Sequence, residues 1–150
     1  MNHLIKDSLQ KYLPKLGYDA NVIFIIDTSR SIDRLDMQPV RDDINVIVQE
    51  LGISVVVLYV DYKYRGCQAF QPGESVELYP IGGGGTNFRP GFEHLEKHYP
   101  QPDILFYLTD GRGALYPDDP SYPVVWLQVG SVHFFNPPFG EIVKMSRHAA

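Results

Sequence analysis

The stretch Asn21-Val-Ile-Phe-Ile-Ile-Asp27-Thr-Ser29-Arg-Ser31 decides how this chain is read. From Val22 to Ile26 it is apolar at every position, with none of the polar alternation of a strand that faces water on one side. A run of strand length with that pattern suits a parallel sheet covered on both faces. It then breaks into a carboxylate followed by alternating hydroxyls. Further runs of the same kind lie at Ile53 to Val60, ending at Asp61, at Asp103 to Asp110, and at Pro123 to Val129. Helical spacing separates them: Met37, Val40, Ile44, Ile47 and Leu51 form one apolar face, and Phe88, Phe92, Leu95 and Tyr99 another. Strands alternating with helices predict an α/β fold with a mostly parallel central sheet and helices on both faces.

Outward from these runs the pattern weakens. Leu4, Ile5, Leu9, Tyr12, Leu13 and Leu16 share a helical face, closed by Pro14 and Gly17. Tyr62 to Phe70 and Glu74 to Tyr79 alternate around Pro72-Gly73 and predict an edge hairpin. Pro39 is expected near the first turn of its helix, because further in it would remove a hydrogen bond. Phe139 to Met145 fits a short strand or a helix equally. The proline-rich stretch Tyr116 to Pro123 reads as a loop inside the domain.

The chain has 150 residues, of which 44% are hydrophobic and 21% charged. That fits one domain with a substantial core, residues 1–150, in which 1–20 supply an N-terminal helix. A net charge of −5 argues against nonspecific nucleic-acid binding, which needs a basic surface. One cysteine, Cys67, allows no intramolecular disulfide and suits a reducing compartment. No apolar run approaches the roughly 18 residues of a membrane span, and Met1 to Leu16, polar and helical in pattern, is expected to be a helix rather than a signal peptide. The expected location is cytoplasmic, in a bacterium or in a virus-infected host cell, with no membrane partner.

Ligands in open α/β sheets bind where strands end at their carboxyl side. Three polar clusters fall at or near such positions: Asp27-Thr-Ser29-Arg-Ser31, Thr86 at the end of Gly82-Gly-Gly-Gly85, and Thr109-Asp110-Gly111. Together they offer two carboxylates and three hydroxyls, Asp27, Asp110, Ser29, Ser31 and Thr86, with no thiolate. Hard oxygen donors of this number suit octahedral Mg²⁺ or Mn²⁺ better than Ca²⁺, and leave a position for an outside ligand. Each cluster also has a bland reading. Asp and Ser after a strand are often helix N-caps, and Thr-Asp-Gly is a common turn.

As a set, Asp27-Thr-Ser-Arg-Ser31, Gly84-Gly85-Thr86 and Leu108-Thr-Asp-Gly111 resemble the metal-ion-dependent adhesion site of von Willebrand factor A (VWA) domains. Asp61, Gly82 to Pro90, Pro123-Val-Val-Trp126 and Pro138-Phe-Gly-Glu-Ile-Val143 resemble more narrowly the VWA-like domain at the C-terminus of bacterial proteins classed as metallopeptidases of unassigned function. The resemblance covers residues 21–146. It implies a Rossmann-like fold and a metal ion held by Asp27, Ser29, Ser31, Thr86 and Asp110. It also implies a docking role in which a partner's Asp or Glu completes the metal shell, beside another machine such as an AAA ATPase. Arg30 stands where glycine is usual, and Asn87 where an acidic residue is common. With Arg112, they are the candidates for touching a partner. The metallopeptidase-like region has no counterpart here, so protease chemistry is not expected.

Other chemistries compete for the same residues. Asp27 could accept a phosphoryl group in a Mg²⁺-dependent hydrolase or phosphotransferase, but no lysine lies in the site motifs to neutralise phosphate, and Arg30 is the only candidate for that role. A degenerate scaffold is a further alternative, with Arg30 filling the metal position. His94 and His98 have a spacing that can bind zinc, but His-Leu-Glu-Lys-His lacks the His-Glu-x-x-His order of zinc proteases. The glycine run is no P-loop, since no lysine precedes its threonine. Asp118 and Asp119 read as a solvated turn, and Cys67 as an ordinary strand residue. Tyr62, Tyr64, Tyr116, Tyr122, Phe134 and Phe135 could be core or an exposed patch.

Overall fold

A computed structural model describes Asp7, Lys11 and residues 20–130 and 135–145. Among these, β1 (Val22–Asp27), β2 (Val55–Val60), β3 (Tyr64–Phe70), β4 (Ile104–Thr109), β5 (Val124–Gln128) and β6 (Glu141–Lys144) form one sheet in the order β3-β2-β1-β4-β5-β6. Two helices accompany it, α1 (Arg34–Gln49) and α2 (Arg89–His98). All neighbouring strands are parallel except β2 and β3. The strand order turns back between β1 and β4, so the loops after these two strands diverge and open a crevice at their carboxyl ends.

β1 is buried along its whole length because both its faces are covered. Val22, Phe24 and Ile26 join the core beneath α1, with Met37, Val40, Ile44, Ile47 and Val48. Ile23 and Ile25 join the opposite core beneath α2, with Phe92 and Leu95. A helix therefore lies on each face, as the apolar runs require. On the α2 side, Gly91 lets the helix approach closely, since a Cβ there would lie 2.8 Å from Ile25 Cδ1.

α1 begins where Asp33 caps it. The Asp33 carboxylate accepts from the Asp36 amide at 2.9 Å, and the Asp36 carboxylate accepts from the Asp33 amide at 3.0 Å. This capping box satisfies two amides that a helix start leaves open. Pro39 lies inside α1, beyond the first turn where the sequence suggested it. It deprives the Leu35 carbonyl of its helical donor, and Leu35 is on the exposed side, within reach of water.

The expected edge hairpin does not form. Only its first arm is a strand, β3, which pairs antiparallel with β2. The second arm, 74–79, runs without a ladder because side chains satisfy its backbone. Arg41 Nε donates to Val76 O at 2.8 Å, Gln68 Nε2 donates to Glu77 O at 2.9 Å, and the Tyr79 amide donates to Gln68 Oε1 at 2.9 Å. Val76 inserts into the core beneath α1. The ambiguous tail resolves as β6, parallel to β5.

Asp7 and Lys11 are helical, and Lys11 Nζ lies 3.4 Å from Glu141 Oε2. The apolar positions expected to form the N-terminal helix lie outside the described residues, as does Phe134. Tyr64, Tyr116, Tyr122 and Phe135 pack on the α2-side core, whereas Tyr62 is exposed. No helix among the described residues is long and apolar enough to cross a membrane.

Candidate metal centre

Asp27 ends β1 with its carboxylate fully buried at the crevice. The chain turns at once: the Ser29 amide donates to Asp27 Oδ1 at 2.8 Å, which aims Ser29 back toward the carboxylate. Ser29 Oγ and Ser31 Oγ lie 3.3 Å apart. From β4, the Thr109 hydroxyl donates to Asp27 Oδ2 at 2.8 Å. Thr86 Oγ1 lies 3.5 and 3.4 Å from the two Asp27 oxygens. Residues that are 59 and 82 positions away in sequence thus converge on one carboxylate.

The glycine loop reaches this place because three contacts hold it. Asp61, buried at the end of β2, accepts the Gly84 amide at 3.1 Å. The Arg30 amide donates to Gly84 O at 3.1 Å. Thr28 Oγ1 bridges Val60 O and Ile81 O at 2.9 and 2.8 Å. A side chain at Gly82 would strike Thr28, its Cβ falling 2.0 Å from Thr28 Oγ1, so glycine is required there by close approach. On the far side, Gly113 lies so near Thr86 that a Cβ would come within 2.7 Å of Thr86 Cγ2.

Asp110 follows β4 and is almost completely buried. Its Oδ1 accepts the Arg112 amide at 3.0 Å. Its Oδ2 is buried and has no hydrogen-bond partner among the described residues, the Arg112 guanidinium standing off at 3.6 Å. Burial pushes Asp27 above its ordinary value, against hydrogen bonds from Ser29 and Thr109, and the negative charge of Asp110 pushes it further. Burial and then the Asp27 charge also raise the enclosed Tyr107 phenol, which stays protonated. Two carboxylates that repel each other in a buried site, with one oxygen lacking a hydrogen bond and a single exposed guanidinium at 3.6 Å, form an arrangement that a further cation relieves.

All five residues expected to hold a metal therefore border one crevice. Asp27, Ser29, Ser31 and Thr86 are linked by short contacts, and Asp110 couples to Asp27 through its charge. The bland reading fails for the first cluster, because the cap of α1 is Asp33 and not Asp27 or Ser29. The turn reading holds for Thr109-Asp110-Gly111, where the Gly111 amide donates to Thr109 Oγ1 at 3.1 Å, the Arg112 amide donates to Asp110 Oδ1 at 3.0 Å and Gly111 has a φ of 83°. Of the flanking candidates, Arg30 is exposed and forms no ion pair among the described residues with Asp27 or Asp110. Arg112 is also exposed. Asn87 serves its own loop, where its Oδ1 accepts the Arg89 amide at 2.9 Å, at the first turn of α2.

Sequence reasoning missed two residues of the site. Thr109 was visible beside Asp110 but was not expected to bind Asp27. Thr28 carried no signal, because it joins two loops that are distant in sequence. Elsewhere, His94 stacks on Tyr64 with ring centroids 3.8 Å apart, and His98 adjoins it at 4.4 Å. No group of three His, Cys, Asp or Glu side chains with metal-binding geometry occurs among the described residues, so the histidine pair lacks a third ligand of that kind.

A six-stranded, mostly parallel sheet with a helix on each face, and polar loops gathered at its switch point, defines a Rossmann-like α/β domain of VWA type. The VWA-like domain (DUF2201) family model matches residues 22–146, and the chain belongs to that family. Its fold is similar to the crystal structure of the ArnB paralog VWA2 from Sulfolobus acidocaldarius, with a TM-score of 0.57 and 17% identity. The match covers 77% of this chain and 36% of that one, so this chain spans about a third of its length. No curated protein matches.

Proposed function

We propose that this domain is a protein-interaction module that docks a partner's Asp or Glu through a bound divalent cation, Mg²⁺ or Mn²⁺. The family supports an interaction role in general. The observation that carries the metal-dependent reading is the buried Oδ2 of Asp110, which has no hydrogen-bond partner among the described residues and only the exposed Arg112 guanidinium at 3.6 Å, at a crevice shared with Asp27. Asp27, Asp110, Ser29, Ser31 and Thr86 would hold the ion, and the ion would supply an electrophilic position for the incoming carboxylate. Around it the chain does the positioning. Thr109 fixes the Asp27 carboxylate, Asp61 holds the glycine loop, and Gly113 leaves room for Thr86. Only two charges face the ion, so it retains enough positive character to attract a third.

Docking is favoured over phosphoryl transfer because no lysine lies in the three site motifs, and Arg30 is the one cation within them to neutralise phosphate. The degenerate alternative loses support from Arg30, which is exposed and makes no ion pair with either carboxylate among the described residues. An AAA ATPase or a complex built around one, in the cytoplasm, is the partner class this reading proposes.

Isothermal titration of chelator-stripped protein with Mg²⁺ and Mn²⁺ tests the reading. Saturable binding near one equivalent, absent in Asp27→Ala, is the expected result. Binding that persists in the variant, or a partner captured equally well in chelator, overturns it.

A further inference from the structure

The surface around the buried carboxylates is basic, although the whole chain carries −5. Four stretches surround the crevice: 28–33, 61–63, 80–88 and 110–115. Of their acidic residues, Asp61 and Asp110 are buried, and Asp33, which caps α1, is the one exposed negative charge. Their cations Arg30, Lys63 and Arg112 are all exposed. Arg30 makes no ion pair among the described residues. Arg112 reaches only 3.6 Å from Asp110, and Lys63 hangs 5.7 Å from the Tyr62 ring centroid. Tyr62 in turn lies against Gly84, where a Cβ would meet its ring at 2.7 Å, so Lys63 belongs to the same rim as the glycine loop.

We propose that the partner segment is a short run of acidic residues: one carboxylate reaches the metal position, and its neighbours pair with Arg30, Lys63 and Arg112. This rests on the docking reading above and names the partner's chemistry. A single carboxylate would occupy the ion and leave three exposed cations on three different loops, of which only Arg112 has a carboxylate nearby, Asp110 at 3.6 Å. Each exposed pair contributes little by itself, but together they favour a multiply charged partner and speed its encounter. A nucleic acid is the less suited polyanion, because its affinity depends on a broad basic surface and this chain is acidic overall.

The test compares two labelled peptides of equal length by fluorescence anisotropy in saturating Mg²⁺. One carries a single glutamate and the other a run of glutamates, with an oligonucleotide of matching charge as competitor. The acidic run is expected to bind roughly tenfold tighter, an advantage that shrinks with salt. Arg30→Glu combined with Lys63→Glu should abolish that advantage, while Mg²⁺ uptake, titrated on the same variant, is kept. Equal binding of the two peptides, no binding of either, an unchanged preference in the variant, or tighter binding of the oligonucleotide overturns the inference. Wild-type protein that takes up no metal sinks the docking reading and this inference with it. Metal-loaded protein that fails to discriminate sinks the acidic-run inference alone.

Discussion

The Thr109 hydroxyl donates to Asp27 Oδ2 at 2.8 Å, joining the carboxyl ends of β4 and β1 across the switch point of the sheet. The bond turns one oxygen of a buried carboxylate toward β4 and sets its partner oxygen toward Ser29. The orientation of the candidate metal centre is thus set by neighbouring strands, before any ion is present.

The pH dependence of the metal-free protein follows from Asp27. Burial, aided by Asp110, raises its folded value above the ordinary 3.8. The folded state then holds the Asp27 proton more tightly than the unfolded chain does. Stability is lost as pH rises from about the unfolded value through the raised folded one, and the loss is complete above it. Urea unfolding across that acidic window should show this decline in wild type and its absence in Asp27→Asn. Saturating Mg²⁺ should offset the loss at neutral pH, by about 2.7 kcal/mol at a hundred times its Kd. A metal-free wild type with the same pH profile as Asp27→Asn would contradict the account.

Asp61 behaves in the opposite sense. Burial pushes it up, but the Arg65 guanidinium and the amides of Lys63 and Gly84 outweigh that and hold it below its ordinary value. Its stabilisation is present above about the unfolded value and is lost as pH falls through the lowered one. Asp61→Ala leaves the Arg65 Nε contact of 2.8 Å and the Gly84 amide contact of 3.1 Å without an acceptor. A loss of roughly 3 kcal/mol in urea unfolding is expected. Metal affinity should fall with it, because the glycine loop carries Thr86.

Gly113→Ala tests the packing behind the site. Its Cβ would meet Phe88 Cε2 at 2.6 Å and Thr86 Cγ2 at 2.7 Å. Relief requires Phe88 to shift in the core or Thr86 to move off the crevice. A destabilisation of about 1–3 kcal/mol is expected, together with weaker Mg²⁺ binding by titration. Unchanged stability and unchanged metal binding would show that the loop gives way freely.

Trp126 is the chain's single tryptophan and is fully buried in β5. Its Nε1 donates to Phe139 O at 2.9 Å, and its ring meets those of Phe88, Tyr107 and Phe135. Trp126→Phe empties part of that cluster and leaves the Phe139 carbonyl without this donor. It should destabilise by about 2 kcal/mol, measured by circular dichroism since the variant lacks the fluorophore. In wild type, a single cooperative red shift of Trp126 emission should report global unfolding.

By itself, the sequence determined the layered α/β plan and pointed to the residues of the candidate site. Its continuous apolar runs require cover on both faces, and the core helices show the helical period, because burial acts on each residue where it stands. The five candidate ligands were legible because each ends or follows a local run. What only the tertiary structure decided depends on partners distant in the chain. Glu74 to Tyr79 alternates like a strand, yet Gln68 and Arg41 take its backbone groups and no ladder forms. Glu141–Lys144 is too short to declare itself and becomes β6 because β5 offers it an open parallel edge. Asn87 serves α2, and Thr28 and Thr109 take their roles from segments that fold back on them. A hydrogen bond across 82 positions has no local signature, since neither partner's neighbours in sequence are its neighbours in space.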